Sequence, residues 1–141
     1  MRIGSWTGPE SCCGVTEPRF LLDANSCIYL LEKLSPAVRE RAAECRPGEM
    51  VTSAIVFAEV ARGIDWANAQ AAELVTDFFA VVPVFPFDEQ AAKAYAGLPF
   101  RRGSFDRLIA AHALALDLTL VTANPRDFRG IAGLRVEDWT Q

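Results

Sequence analysis

The stretch that decides the fold reads RFLLDANSCIYLLEK and covers residues 19–33. Its first part is apolar, which predicts a short buried strand at 19–22. Apolar residues then return at helical spacing, which predicts a helix over about 26–33. Asp23 lies between the two elements, where an aspartate is either an ordinary turn and cap residue or a metal ligand. This stretch alone does not decide between the two interpretations.

The rest of the chain alternates between helices and strands. Asn25 or Ser26 is the expected cap of the first helix, because both side chains can accept a bond from a free backbone N–H. The other predicted helices cover about 36–45, 54–62, 66–80, 88–96 and 105–116, and the other predicted strands 50–52, 81–87, 118–122 and 134–136. Two prolines in the strand at 81–87 predict a short or edge strand. Strands separated by helices indicate an α/β fold with a mainly parallel sheet.

Composition indicates one compact domain. The chain has 141 residues, of which 51% are hydrophobic and 23% charged, and no apolar run is long enough to cross a bilayer. Residues 1–18 lack the apolar region of a signal peptide, so we expect a disordered extension or a mis-set start before a domain at 19–141. Four cysteines without a C-x-x-C pair and a single histidine make zinc a poor candidate. They favour a reducing, cytoplasmic location.

Charge is distributed unevenly along the chain. The net charge is −4, which argues weakly against a nucleic-acid binder. Residues 1–100 have a balance of −5, whereas residues 101–141 have a balance of +1. The arginines of the second part fall in short clusters. This pattern fits either a locally basic rim or an ordinary solvated surface.

Several acids occupy unusual positions, although each has an ordinary explanation. Glu59 shares a helical stripe with apolar residues and could simply pair with Arg62 or extend its carboxylate to solvent. Asp106 falls in the first turn of a helix, where the helix dipole favours an acid. Asp127 follows the last buried strand in a turn. The apolar stripe of the helix that contains Asp106 is predicted to comprise Phe105, Leu108, Ile109, His112 and Leu116, which makes His112 a core histidine.

Together the acids suggest a single site. Asp23 and the Asn124–Asp127 loop follow strands, and Glu59 and Asp106 lie on flanking helices, so all can meet at the carboxyl edge of a parallel sheet. Carboxylates brought close together repel one another unless a cation neutralises them. Mg²⁺ or Mn²⁺ suits such oxygen ligands and can activate a water. The chemistry that follows is metal-dependent hydrolysis of a nucleic-acid backbone.

Four motifs occur in the order and spacing of a known family. They are FLLDANSCIYLL, TSAIVFAEVARG, GSFDRLIAAHALAL and LTLVTANPRDF. Each motif is degenerate, but the four in order resemble the PIN-domain nucleases over about residues 19–138, and most closely the VapC-type toxins of toxin–antitoxin pairs. The resemblance implies a three-layer α/β/α sandwich with a mainly parallel central sheet. It also implies a Mg²⁺-dependent endoribonuclease, with Mn²⁺ as a substitute, an antitoxin partner and a homodimer.

The resemblance also implies roles for individual residues. The catalytic set carried over by position is Asp23, Glu59, Asp106 and Asp127, with the metal assigned to the first three. Supporting polar residues are Asn25, Thr122 and Asn124. The arginines expected to contact RNA phosphates are Arg101, Arg102, Arg107 and Arg126.

Three other functions fit the residues less well. A catalytically weak PIN-fold module could bind RNA or a partner protein, but such a module has no need of the first three acids. A phosphohydrolase with an Asp nucleophile usually needs a second acid two residues later, and position 25 is Asn. A receiver-type phospho-acceptor needs a late lysine, whereas the last lysine here is Lys93, inside a predicted helix.

Overall fold

The computed structural model describes residues 16–141, and of the expected extension at 1–18 the first fifteen residues lie outside this range. Within it, five parallel strands form one sheet in the order β3-β2-β1-β4-β5. The strands are β1 (Phe20–Leu22), β2 (Met50–Ser53), β3 (Val84–Phe85), β4 (Thr119–Val121) and β5 (Val136–Glu137). β3 is an edge strand of two residues, which confirms the prediction drawn from its flanking prolines.

Between residues 16 and 141 the chain also forms six α-helices. These are α1 (Ala24–Leu31), α2 (Pro36–Ala43), α3 (Ala54–Arg62), α4 (Ala69–Val81), α5 (Glu89–Ala96) and α6 (Phe105–Leu116). A 3₁₀ turn follows β4 at Pro125–Phe128. The order of elements agrees with the sequence prediction, and the boundaries differ by up to three residues. None of these helices is both long and apolar enough to cross a membrane.

The topology divides the helices into two layers. The chain passes from β1 to β2 to β3 in one direction across the sheet, then returns to the other side of β1 to form β4. Right-handed crossovers therefore put α1–α4 on one face and α5, α6 and the 3₁₀ turn on the other. The packing agrees for most pairs, since α1 contacts α2, α3 and α4, while α6 contacts α5 and the 3₁₀ turn; α6 also contacts α3 of the other layer. The predicted three-layer α/β/α sandwich is confirmed.

The core lies along the two central strands. Leu21 and Leu22 of β1 and Leu120 and Val121 of β4 have no solvent exposure. Ile109 of α6 is equally inaccessible and packs in the same cluster. Strands buried on both faces need apolar side chains at successive positions, which explains why the sequence of each strand is continuously apolar rather than alternating.

Two local predictions were wrong. The cap of α1 is Asp23, whose side chain accepts a bond from the backbone N–H of Ser26, so neither Asn25 nor Ser26 caps this helix. Phe105 was placed on the apolar stripe of α6 but is largely exposed, because it is the first residue of the helix and extends past the core. The other members of that stripe are buried or partly buried.

Candidate active site

Asp23 lies at the carboxyl end of β1, beside the neighbouring end of β4. Between these two strands the chain changes the direction in which it adds strands to the sheet. Ligands of open α/β sheets bind at this kind of topological switch point. Its side chain is only 7% exposed, and its Oδ1 accepts the Ser26 backbone N–H at 2.8 Å. Burial raises the pKa of this carboxyl, although hydrogen bonds from Thr122 and Ser26 oppose the shift. The negative charge of Asp127 raises the pKa further.

Hydrogen bonds across the β1–β4 seam fix the position of this acid. The backbone N–H of Asp23 donates to the Val121 carbonyl at 3.0 Å, and the Ser26 hydroxyl donates to the same carbonyl at 3.2 Å. The Thr122 hydroxyl bonds to the Asp23 carboxyl and also accepts the Asn124 backbone N–H at 3.0 Å. Thr122 therefore links Asp23 to the loop that contains Asp127, and its supporting role in the site stays a prediction.

Glu59 and Asp106 face the same region from two helices. Glu59 lies in the second half of α3, and Asp106 lies in the first turn of α6, which Ser104 caps. Burial raises the pKa of Glu59, and the charges of Asp106 and Asp23 raise it further. Burial likewise raises the pKa of Asp106, with further contributions from Asp127 and Asp23. Within residues 16–141 Glu59 forms no ion pair, so the ordinary explanation that it pairs with Arg62 does not hold.

Asp127, Asn124 and Asn25 lie at the exposed rim. Asp127 is part of the 3₁₀ turn, and its backbone N–H donates to the Asn124 carbonyl at 3.0 Å. Asn25 is exposed in the first turn of α1, immediately after the capping acid. Because Asp127 influences the pKa of both Asp23 and Asp106, the structure brings all four predicted acids into one electrostatic cluster.

The donor set fits a hard divalent cation that keeps part of its water shell. Among the described residues, no group of three or more acidic, histidine or cysteine side chains lies close enough together to hold a metal ion by itself. Mg²⁺ does not need one, since proteins usually hold it through one or two carboxylates and leave several waters in place. The carboxylates here raise one another's pKa, so a cation would relieve a repulsion that Arg101 and the hydrogen bonds to Asp23 offset only in part.

The arginines near the site have different surroundings. The charge of Arg101 lowers the pKa of Asp106, which shows that this arginine approaches the cluster. Arg107 instead donates from Nη1 to the Pro99 carbonyl at 3.0 Å and so fastens the loop before α6. Arg102 and Arg126 are exposed. The RNA-contacting role of these residues stays a prediction.

Arg62 and Phe105 are not among the site residues predicted from the sequence. Together with Ala58 and Glu59 they line a surface cavity of about 400 Å³ beside the carboxylates. Arg62 had been read only as a pairing partner for Glu59. The signal that could have identified Phe105 is its position directly after the helix cap, since the first residue of a helix often lies beyond the packed layer.

His112 is a structural residue, as predicted. It is 1% exposed, and its Nδ1 lies 2.8 Å from the hydroxyl of Ser53, the residue that caps α3. The ring also donates to the backbone of Pro86, whose only polar backbone group is its carbonyl. Burial lowers the pKa of His112. The histidine thus ties the helix of Asp106 to the helix of Glu59 and keeps the two acids on facing elements.

Comparison with known proteins agrees with this geometry. The model of the family described as "PIN domain" matches residues 20–134. The tRNA(fMet)-specific endonuclease VapC of Shigella flexneri is 32% identical over 133 residues, which cover 86% of this chain and 98% of that protein. Ribonuclease VapC1 of Haemophilus influenzae is 31% identical over 137 residues, with the same shares of 86% and 98%.

Solved structures give the same result. DNA-bound VapBC from Salmonella typhimurium matches with a TM-score of 0.74 at 32% identity, over 86% of this chain and 98% of the matched chain. VapBC2 from Rickettsia felis, bound to a DNA fragment from its promoter, matches with a TM-score of 0.73 at 26% identity, over 85% and 98%. With the family model spanning four of the five strands and all four acids of the cluster, the chain belongs to the PIN-domain family.

Proposed function

We propose that this protein is a metal-dependent endoribonuclease and the toxin of a toxin–antitoxin pair. The observation that carries the proposal is the cluster of four carboxylates at the β1–β4 edge, in which Asp23, Glu59 and Asp106 all have raised pKa values. Clusters of mutually perturbed acids are characteristic of functional sites. Relatives about one-third identical are named as ribonucleases, which supports RNA as the substrate.

The residues of the site have distinct proposed roles. Asp23, Glu59 and Asp106 would hold Mg²⁺, or Mn²⁺ in its place, partly through the waters that the ion keeps, and Asp127 would complete the acidic cluster. When bound, the cation would supply charge neutralisation and a water of lowered pKa for hydrolysis of a phosphodiester. Thr122 keeps the Asp23 carboxylate in orientation through its hydroxyl. The backbone of α1 holds the same carboxylate from the other side, so the acid is positioned before any ligand arrives.

The partners follow from the relatives. The matched structures from Salmonella typhimurium and Rickettsia felis are DNA-bound VapBC and VapBC2. We propose a small protein antitoxin as the partner of this chain, in a hetero-oligomer or around a homodimer. We also propose a cytoplasmic location, which the free thiols of Cys27 and Cys45 support.

The surface that suits a protein partner is a groove between α1 and α4. It has a volume of about 520 Å³, with an apolar floor and two acids, Glu73 and Asp77. Its apolar residues are Leu30, Leu31, Leu74, Phe78 and Val81. An amphipathic helix with basic residues at its edges would match both the shape and the charge of this groove.

The proposed activity is tested with Asp106→Asn. The variant keeps the shape of the side chain at the start of α6 but removes one charge from the cluster. Cleavage of single-stranded RNA in Mg²⁺ should fall by about 100-fold or more, since even residues that only orient metal ligands contribute about 10- to 100-fold. EDTA should abolish cleavage by the wild-type protein.

Asp77→Asn is the matched control, because Asp77 is an exposed aspartate on α4 outside the cluster. It should cleave at the wild-type rate. Full activity of Asp106→Asn, or full activity in EDTA, would contradict the proposed site. Binding of RNA by a wild-type protein that never cleaves it would instead identify a binding module.

A further inference from the structure

An aromatic side chain is exposed beside the acidic cluster. Phe105 is 56% exposed and immediately precedes Asp106 in the first turn of α6. A single exposed apolar residue needs no explanation by itself. Phe105, however, forms one wall of the cavity of about 400 Å³ that it shares with Glu59 and Arg62. The ring therefore lines a concave surface that also contains a candidate catalytic acid.

Two arginines lie in or near this cavity. Arg62 lines it directly, and Arg101 lies close enough to Asp106 to lower the pKa of that acid. The bond from Arg107 Nη1 to the Pro99 carbonyl fastens the loop that contains Arg101 against α6. The cavity thus combines an apolar aromatic wall, the Arg62 guanidinium, which is suited to phosphate, and the Glu59 carboxylate.

We propose that Phe105 is a base-stacking residue, and that its cavity binds one unpaired nucleobase of single-stranded RNA next to the phosphate that is cleaved. The inference rests on the proposed function, because it assigns a nucleotide subsite to that same site. An unpaired base presents a π-face that stacks on aromatic side chains, whereas a base inside a duplex does not. Arg62 would contact the phosphate of the stacked nucleotide, which brings the neighbouring phosphodiester toward Asp106 and Glu59.

The cavity volume agrees with this occupant. About 400 Å³ falls within the range of roughly 300–1,000 Å³ typical of small-ligand sites. An apolar peptide side chain would also contact Phe105, but it would leave the guanidinium of Arg62 without a counter-charge. A nucleotide supplies both the flat apolar group and the anion.

The experiment compares three variants on one oligonucleotide. Phe105→Leu removes the aromatic face but keeps an apolar side chain, and Phe105→Trp restores a face for stacking. Trp66→Leu is the matched control, because Trp66 is 47% exposed but lies outside the walls of the cavity. The substrate is a single-stranded RNA that the wild-type protein cuts once, together with versions in which each base in turn is replaced by an abasic site.

If Phe105 stacks on a base, its loss should raise KM and leave kcat nearly unchanged. Phe105→Leu should raise KM by about 5- to 150-fold, the range of aromatic–base stacking, while Phe105→Trp and Trp66→Leu stay near wild type. For the wild-type protein, one abasic position beside the cut should raise KM by a similar factor. For Phe105→Leu, the same abasic position should raise KM little further. A KM within about twofold of wild type for Phe105→Leu, or losses that add fully at every position, would overturn the inference.

Binding measurements separate this inference from the proposed function. The same oligonucleotides are titrated into wild-type protein and Phe105→Leu in EDTA, where no cleavage is expected. Weaker binding by Phe105→Leu without any cleavage by the wild type in Mg²⁺ would leave the stacking site standing and refute the nuclease. Cleavage that is indifferent to Phe105 would do the reverse. Loss of binding to a protein partner alone would assign the residue to a protein interface and overturn the inference.

Discussion

Replacing Asp23 by either asparagine or alanine separates its structural role from its proposed role in the site. Asp23 caps α1 through a 2.8 Å bond to the Ser26 N–H, and it is 7% exposed. Asparagine can accept the same bond and caps helices about as well as aspartate. Alanine cannot, so the Ser26 N–H would be left buried without a partner.

The two variants should therefore differ in stability. Loss of a helix cap costs about 0.5–2 kcal/mol, and a buried N–H without a partner costs about 1–3 kcal/mol. The two costs are not added, because both arise from loss of the same hydrogen bond. We expect Asp23→Ala to lose about 1–3 kcal/mol, or about 3–10 °C in Tm for a chain of this size. Asp23→Asn should match or exceed the wild-type Tm without metal, because it removes a buried charge that Asp127 repels. Neither variant should cleave RNA.

Thermal unfolding in EDTA, repeated with Mg²⁺, is the assay. For a ligand tenfold above its Kd, binding to the native state adds about 1.4 kcal/mol, which corresponds to about 5 °C for the wild-type protein. The asparagine variant should lose most of this gain. An equal Mg²⁺ shift in both variants and the wild type would refute Asp23 as a ligand. Equal destabilisation by asparagine and alanine would refute both the capping role of Asp23 and its repulsion by Asp127.

Two further predictions concern the histidine and the partner groove. Burial keeps the pKa of His112 below its ordinary 6.5. As pH falls, the unfolded chain therefore binds a proton at this histidine before the folded protein does. The free energy of unfolding should decrease below about pH 6.5 for this reason. Urea unfolding should show a flatter pH dependence in this range for His112→Gln, and an unchanged slope would contradict the assignment. Leu74→Glu should weaken binding of the antitoxin by about tenfold or more in a pull-down, since it puts a charge into an apolar groove that is already acidic. Thr76→Glu, an exposed change on the same helix, is its control, and equal losses in both would argue against the groove.

The sequence was sufficient to predict the alternation of elements and the place where the acids meet. Both follow from local rules: serine caps, proline breaks, continuous apolar strands and the convergence of parallel strand ends at one edge. It was insufficient at the start of α1, where Asp23, Asn25 and Ser26 can all cap a helix. Tertiary contacts decide, because the Ser26 hydroxyl bonds to Val121 on a strand distant in sequence.

Phe105 shows a second limit of sequence reasoning. Helical periodicity assigns it to the same stripe as Ile109 and His112, and both of these are buried. Periodicity describes direction around the helix axis and not position along it, so it does not reveal that the first turn extends past the packed layer. The acids were easier to locate because their positions at strand ends and helix starts determine where they lie.

The acidic cluster carries a stability cost that a purely structural role does not explain. Burial and mutual repulsion raise the pKa of Asp23, Glu59 and Asp106, so the folded protein without a cation is less stable with these groups charged than with amides in their place. The cap of α1 would be served equally well by asparagine, and neither Glu59 nor Asp106 forms an ion pair among residues 16–141. Electrostatic destabilisation of this kind persists where activity requires it. The proposed hydrolysis is therefore assigned to this cluster and not to another part of the surface.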